Sequence, residues 1–72
     1  MVEIKIGAQC QVIGKLISRL TLPKDTLILF IARGNEQIVP DGSFTFKEND
    51  TLFIITRKET LHKVEKLFNA DG

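Results

Sequence analysis

The 72-residue chain has one cysteine, one histidine, no tryptophan and no tyrosine, and its ten Lys and Arg are offset by nine Asp and Glu. Cys10 has no partner for an internal disulfide, which fits a reducing compartment. With a single histidine far along the chain, it supplies neither a zinc-ligand set nor a Cys-His pair. His62 falls on the polar side of a helical pattern and reads as a solvated surface residue. A net charge of +1 creates no field to gather nucleic acid or an anionic membrane surface. All five aromatics are Phe, mostly inside apolar runs, whereas single-strand binders interleave exposed rings with basic residues. No nucleic-acid partner is expected. The dinucleotide fingerprint Gly-x-Gly-x-x-Gly is absent, and Gly14-Lys15-Leu16 lacks a glycine-rich phosphate cradle. Asp41, Glu48 and Asp50 stand in turn-forming stretches, where carboxylates bond nearby amides. Catalytic residues, metal ligands and cofactors are therefore not expected, and neither is enzymatic activity. No apolar run nears the roughly 18 residues that span a bilayer, and Met1 to Gly7 lacks the layout of a signal peptide. The expectation is a cytoplasmic domain.

What is present is ordinary globular material, 43% hydrophobic and 26% charged, in a single domain covering 1–72. Val2, Ile4 and Ile6 alternate with Glu3 and Lys5, the period of a half-buried strand. Val12, Ile13, Leu16, Ile17 and Leu20 recur at helical spacing and predict a short helix from about Gly14 to Leu20, closed by Pro23. Thr26 to Ala32 is apolar at both parities and reads as a central strand. Arg33 to Glu36 predicts a hairpin loop, with Gly34 and Asn35 tolerating positive φ, and a short returning strand follows. Pro40-Asp41-Gly42 is a second turn. Phe44 and Phe46 alternate in another short strand, and Thr51 to Thr56 forms a second densely apolar one. Thr56 and Glu59 have capping-box spacing and announce a terminal helix with the apolar stripe Leu61, Val64, Leu67 and Phe68. Glu59 is placed to pair with Lys63, and Asn69 to Gly72 are expected to fray.

The predicted order is β-α-β-β-β-β-α, an α+β fold with a small mixed or antiparallel sheet and two helices. Two strands apolar on both faces pose a covering problem, because a chain this short buries only about 60% of the surface it exposes when unfolded. A second copy of the chain is the economical cover. The alternative is a monomer whose own helix and N-terminal segment wrap both faces.

Val12-Ile13-Gly14-Lys15-Leu16-Ile17-Ser18-Arg19-Leu20, followed by Leu27 to Arg57 with its Arg-Gly hairpin, Ile38-Val39-Pro40 step and Asn49-Asp50 turn, resembles the C-terminal RCK (TrkA-C) domain of potassium channels, potassium uptake proteins and cation antiporters. The resemblance covers nearly the entire chain. It implies a non-catalytic regulatory domain that dimerises, lies at the inner face of the cell membrane through its parent protein, and answers to a membrane-embedded channel or transporter. It also implies a possible cyclic dinucleotide, cyclic di-AMP, held between two subunits by Ile31 through Pro40. In that role Arg33 would meet a phosphate with its forked donors, Asn35 an adenine edge, and Ile31, Ile38 and Pro40 an apolar base. The plainer alternative makes Arg33, Gly34 and Asn35 an exposed hairpin and puts Ile38 and Pro40 in a dimer core, as a structural oligomerisation module without a ligand.

Overall fold

The computed structural model describes residues 1–68. The expected fraying of Asn69 to Gly72 lies outside that range. Four strands, β1 (Val2–Lys5), β2 (Leu27–Arg33), β3 (Glu36–Ile38) and β4 (Thr51–Ile55), form one antiparallel sheet in the order β1-β4-β2-β3. One helix, α1 (Leu61–Phe68), follows a single 3-10 turn at Lys58–Thr60. The α+β class and the central place of the two apolar strands match the expectation, since β2 and β4 are the inner pair of the sheet.

Register decides which residues share a face. Ile4 lies opposite Leu52, Val2 opposite Ile54, Ile28 opposite Ile54 and Ile31 opposite Leu52. Those residues turn inward, where Val64 and Phe68 of α1 join Ile6, Cys10, Val12 and Phe46 in one buried core. The 28-to-31 step would break a strict two-residue alternation. A register shift between Ile28 and Phe30 absorbs one extra residue, so Ile28 and Ile31 both reach the core. The same shift sends Leu27 and Phe30 to the opposite face, beside their partners Ile55 and Phe53. Around the core centre, Phe46 packs edge-on against Phe44 and Phe68, with ring centroids 5.4 and 5.6 Å away.

Two expected elements are replaced. The helix from Gly14 to Leu20 is only a 3-10 turn at Ile17–Arg19, and the Phe44–Phe46 strand survives as two isolated bridges, Ile13 to Phe46 and Leu16 to Thr45. These two departures have one cause. Gly14 takes a φ of +83°, which ends any right-handed helix there. The backbone amides of Gly14, Ile17 and Ser18 then donate to the carbonyls of Phe46, Phe44 and Gly42 at 3.2, 2.9 and 3.3 Å. A helix this short has little stability of its own, so pairing with the neighbouring segment prevails. Ile17 and Leu20 still pack against the core, because the spacing that suits a helix face also suits this folded-back ribbon, whereas Leu16 is left exposed.

The turns behave as their residues demand. Gly34 supplies the positive φ of the β2–β3 hairpin at +60°, and Asn35 keeps an ordinary negative one. The Asp41 carboxylate accepts the amide and hydroxyl of Ser43 at 2.9 and 2.6 Å, closing the turn after Pro40. The capping box at α1 does not form. The Thr56 hydroxyl is engaged with those of Thr60 and Thr26 at 2.6 and 2.9 Å instead, which fastens the helix start to the beginning of β2. Glu59 lies 3.7 Å from Arg57 and does not pair with Lys63.

Because Ile54 and Phe46 are enclosed on every side, Ile54→Val should lower the unfolding free energy by about 1 kcal/mol and Phe46→Ala by about 3–5 kcal/mol in urea denaturation. A loss at Phe46 no larger than at Ile54 would contradict its place at the core centre.

Candidate functional site

Arg33 ends β2 two residues after the buried Ile31, and Asp50 precedes β4 two residues before the buried Leu52, so alternation aims both side chains at the core side of the sheet. They meet there as a forked pair. Arg33 Nε donates to Asp50 Oδ1 and Arg33 Nη2 to Asp50 Oδ2, each at 2.8 Å. Nη2 also donates to the Thr45 carbonyl at 3.1 Å, and the Lys47 amide donates to Asp50 Oδ2 at 2.9 Å. The guanidinium carbon stands 4.9 Å from the centre of the Phe44 ring. The Asp50 side chain is fully buried, whereas that of Arg33 keeps 29% of its surface exposed.

Burial works to push the Asp50 carboxyl up, but the hydrogen bonds from Arg33 and the Lys47 amide, with the charges of Arg33 and Lys47, outweigh it and hold the group below the usual carboxylate range. Arg33 is held above its ordinary value, chiefly by the hydrogen bond to Asp50. Both groups are therefore charged at neutral pH.

The five residues expected at a ligand site are placed unequally. Ile31 is fully buried in the core. Arg33 spends Nε and Nη2 on Asp50 and Thr45, and Nη1 has no protein acceptor among the described residues. Asn35 is exposed at the hairpin tip, and Ile38, directly across from Ile31, is half-buried like Pro40. The structure thus gathers them around one hairpin at the β3 edge, where Asn35 is exposed and Ile38 and Pro40 are partly accessible. His62 is exposed as expected. Cys10, in the connection that follows β1, is buried in the core, and its thiol donates to the Phe68 carbonyl at 3.0 Å. Among the described residues no cluster of three His, Cys, Asp or Glu could hold a metal ion, and no helix is long and apolar enough to cross a membrane.

Sequence reasoning missed Asp50, which it read as one more turn carboxylate. The signal was available in parity, since Asp50 continues the inward series of Leu52 and Ile54. The covering problem raised by the two apolar strands has its counterpart on the outer face of the sheet. Phe30 and Phe53 stack there with centroids 4.4 Å apart and an interplanar angle of 14°. Next to them Leu27 and Ile55 remain 59% and 48% exposed.

The buried pair predicts a pH signature. The folded-state pKa of Asp50 lies below its unfolded value, so its contribution is present above the ordinary carboxylate range, about 4, and is lost as pH falls through the lower folded value. Asp50→Asn should lower stability near neutral pH by about 3 kcal/mol, the low end for a broken buried pair because Arg33 retains some water. Acid titration of denaturation midpoints should also show a shallower decline for the variant. Parallel wild-type and variant profiles would refute the role of the pair.

Comparison with known proteins agrees with this architecture. The family model described as the TrkA-C domain matches residues 1–69. A Trk system potassium uptake protein TrkA homolog of Archaeoglobus fulgidus is 36% identical over 58 residues, covering 81% of this chain and 13% of that protein. A TrkA homolog 2 of Methanosarcina mazei is 28% identical over 68 residues, covering 94% of this chain and 15% of the relative. In a TrkA homolog of Pyrococcus abyssi the identity is 29% over 69 residues, with 93% and 30% covered. The chain thus spans less than a third of the length of these relatives. A solved structure described as an RCK domain with cda superposes with a TM-score of 0.80 at 22% identity, covering 94% of this chain and 96% of that one, and shares its fold. With a family match that runs from the first strand through the last residue of α1, and a solved RCK domain that shares its fold, the chain belongs to the TrkA-C domain family.

Proposed function

We propose that this domain is a non-catalytic regulatory module of a potassium or other cation transport protein, placed on the cytoplasmic side of the membrane by its parent chain. It works as a homodimer that senses a small ligand, cyclic di-AMP, at the edge of the interface between the two subunits. Its relatives' designation as Trk potassium uptake proteins supports the transport setting.

The observation that carries the dimer is the outer sheet face. α1 and the core cover only one side of β2 and β4, and the stacked Phe30 and Phe53, with Leu27 and Ile55, leave apolar surface in water on the other. Burying that surface against the same face of a second copy removes it from solvent and gives an isologous contact. The hairpins at the ends of β2 then stand at the β3 edge of each sheet, with Ile31, Arg33 and Ile38 on the core side and Asn35 open at the tip, so a ligand meets them around that edge rather than within the seam. Asn35, Ile38 and Pro40 offer a bonding amide and an apolar wall to a base, Arg33 adds the free donors of Nη1, and Ile31 supports the wall from within. A ligand that prefers one arrangement of the two subunits biases the attached transporter by its difference in affinity.

A second reading, a structural dimerisation module without a ligand, is favoured by two specific observations: Ile31 has no exposed surface and the Arg33 fork is already committed to Asp50.

Sedimentation velocity and calorimetry separate the two. A dimer that Phe53→Glu converts to monomer, with saturable binding of about one cyclic di-AMP per dimer weakened roughly ten-fold by Asn35→Ala, a loss of about 1.4 kcal/mol, matches the sensing module. A dimer that binds no nucleotide matches the structural one. A folded monomer at high concentration would defeat both.

A further inference from the structure

A groove of about 440 Å³ runs between α1 and the segment from Gln11 to Pro23, lined by Gln11, Thr21, Pro23, Lys63, Lys66 and Leu67. It is not the site proposed above. α1 contacts β1, which is the edge strand opposite β3, so the groove and the Asn35 hairpin belong to opposite edges of the sheet.

Its chemistry is one-sided. Lys63 and Lys66 are three residues apart on α1 and so share a wall of the groove. The ion pairs among the described residues are Arg33–Asp50, Arg57–Asp25 and Arg57–Glu59, and neither lysine is in them. Among the described residues no carboxylate lines the groove. The amide nitrogen of Gln11 donates one proton to the Leu67 carbonyl at 3.2 Å, which orients that side chain and leaves its second proton unspent. The Thr21 hydroxyl adds a further donor, and the half-buried Pro23 and Leu67 add an apolar floor. Two ammonium groups, neutral donors and an apolar floor in a space within the size range of small-molecule sites suit an anion with an apolar body.

We propose that this groove binds a phosphorylated small molecule, with the phosphate on Lys63 and Lys66 and the apolar portion over Leu67 and Pro23. Lys66 also stands in the last turn of α1, where it complements the helix dipole without any ligand. That simpler role predicts no saturable binding.

The test is a titration of the isotopically labelled 72-residue chain with adenosine monophosphate, adenosine and pyrophosphate, followed by amide resonances. Saturable shifts confined to Lys63, Lys66, Leu67 and the Gln11 side-chain amide are expected with adenosine monophosphate, and none of that size with adenosine. The surface double variant Lys63→Gln/Lys66→Gln should keep the wild-type spectral dispersion and weaken binding at least about ten-fold, the factor that 1.4 kcal/mol represents. Asn35→Ala should leave these shifts unchanged, so the groove and the hairpin site fail or succeed separately. Shifts that do not saturate, that are equal with adenosine, or that survive the double variant would overturn the proposal. So would binding to phosphatidylglycerol vesicles with no response to any free phosphate compound, which would make the lysines a membrane contact.

Discussion

A carboxylate taken wholly out of water costs several kcal/mol unless charge and hydrogen bonds replace its hydration. Asp50 sits in that position, and the chain around it is arranged to meet the demand. Arg33 comes from the end of β2, the Lys47 amide from the turn before β4, and the Thr45 carbonyl, from the segment that replaces the expected strand, accepts the second proton of Nη2. One fork therefore joins the hairpin, the Phe44–Phe46 ribbon and the start of a central strand. The flat guanidinium beside Phe44 also shields that ring, extending the core to the base of the hairpin.

That anchorage shapes what the hairpin can do. Its root is rigid, because Ile31 is locked in the core and Arg33 in the ion pair, while the tip at Gly34 and Asn35 is open. The opposite side of the sheet has the complementary problem. One eight-residue helix covers one face, and the register shift in β2 keeps Ile28 and Ile31 inside at the cost of turning Leu27 and Phe30 out. The shift that completes the core thus also creates the apolar outer surface.

Much of this was legible along the chain. The alternation of Val2 to Ile6, the dense run of β4 and the stripe on α1 each reflect a burial periodicity that tertiary contacts only reinforced. The Arg33–Glu36 hairpin was readable because Gly34 meets a backbone requirement set by two flanking residues alone. At Gly14 to Leu20 the reading failed, since the same apolar spacing serves a helix or a ribbon and the choice lay with carbonyls about thirty residues away. Thr56 likewise had the right spacing for a cap, yet its hydroxyl found Thr26 across the sheet. Of the candidate site, the hairpin residues were readable as chemistry, but their availability was not.

Local order, strand parity and helix amphipathicity are properties of short stretches, so composition and pattern alone determined the α+β class, the central strands and the terminal helix. Which groups are spent and which remain free depends on long-range meetings. Only the folded chain decided that Arg33 belongs to Asp50, that Cys10 lies in the core, and which face of the sheet α1 leaves uncovered among the described residues, because each follows from a register or a contact that no local pattern encodes.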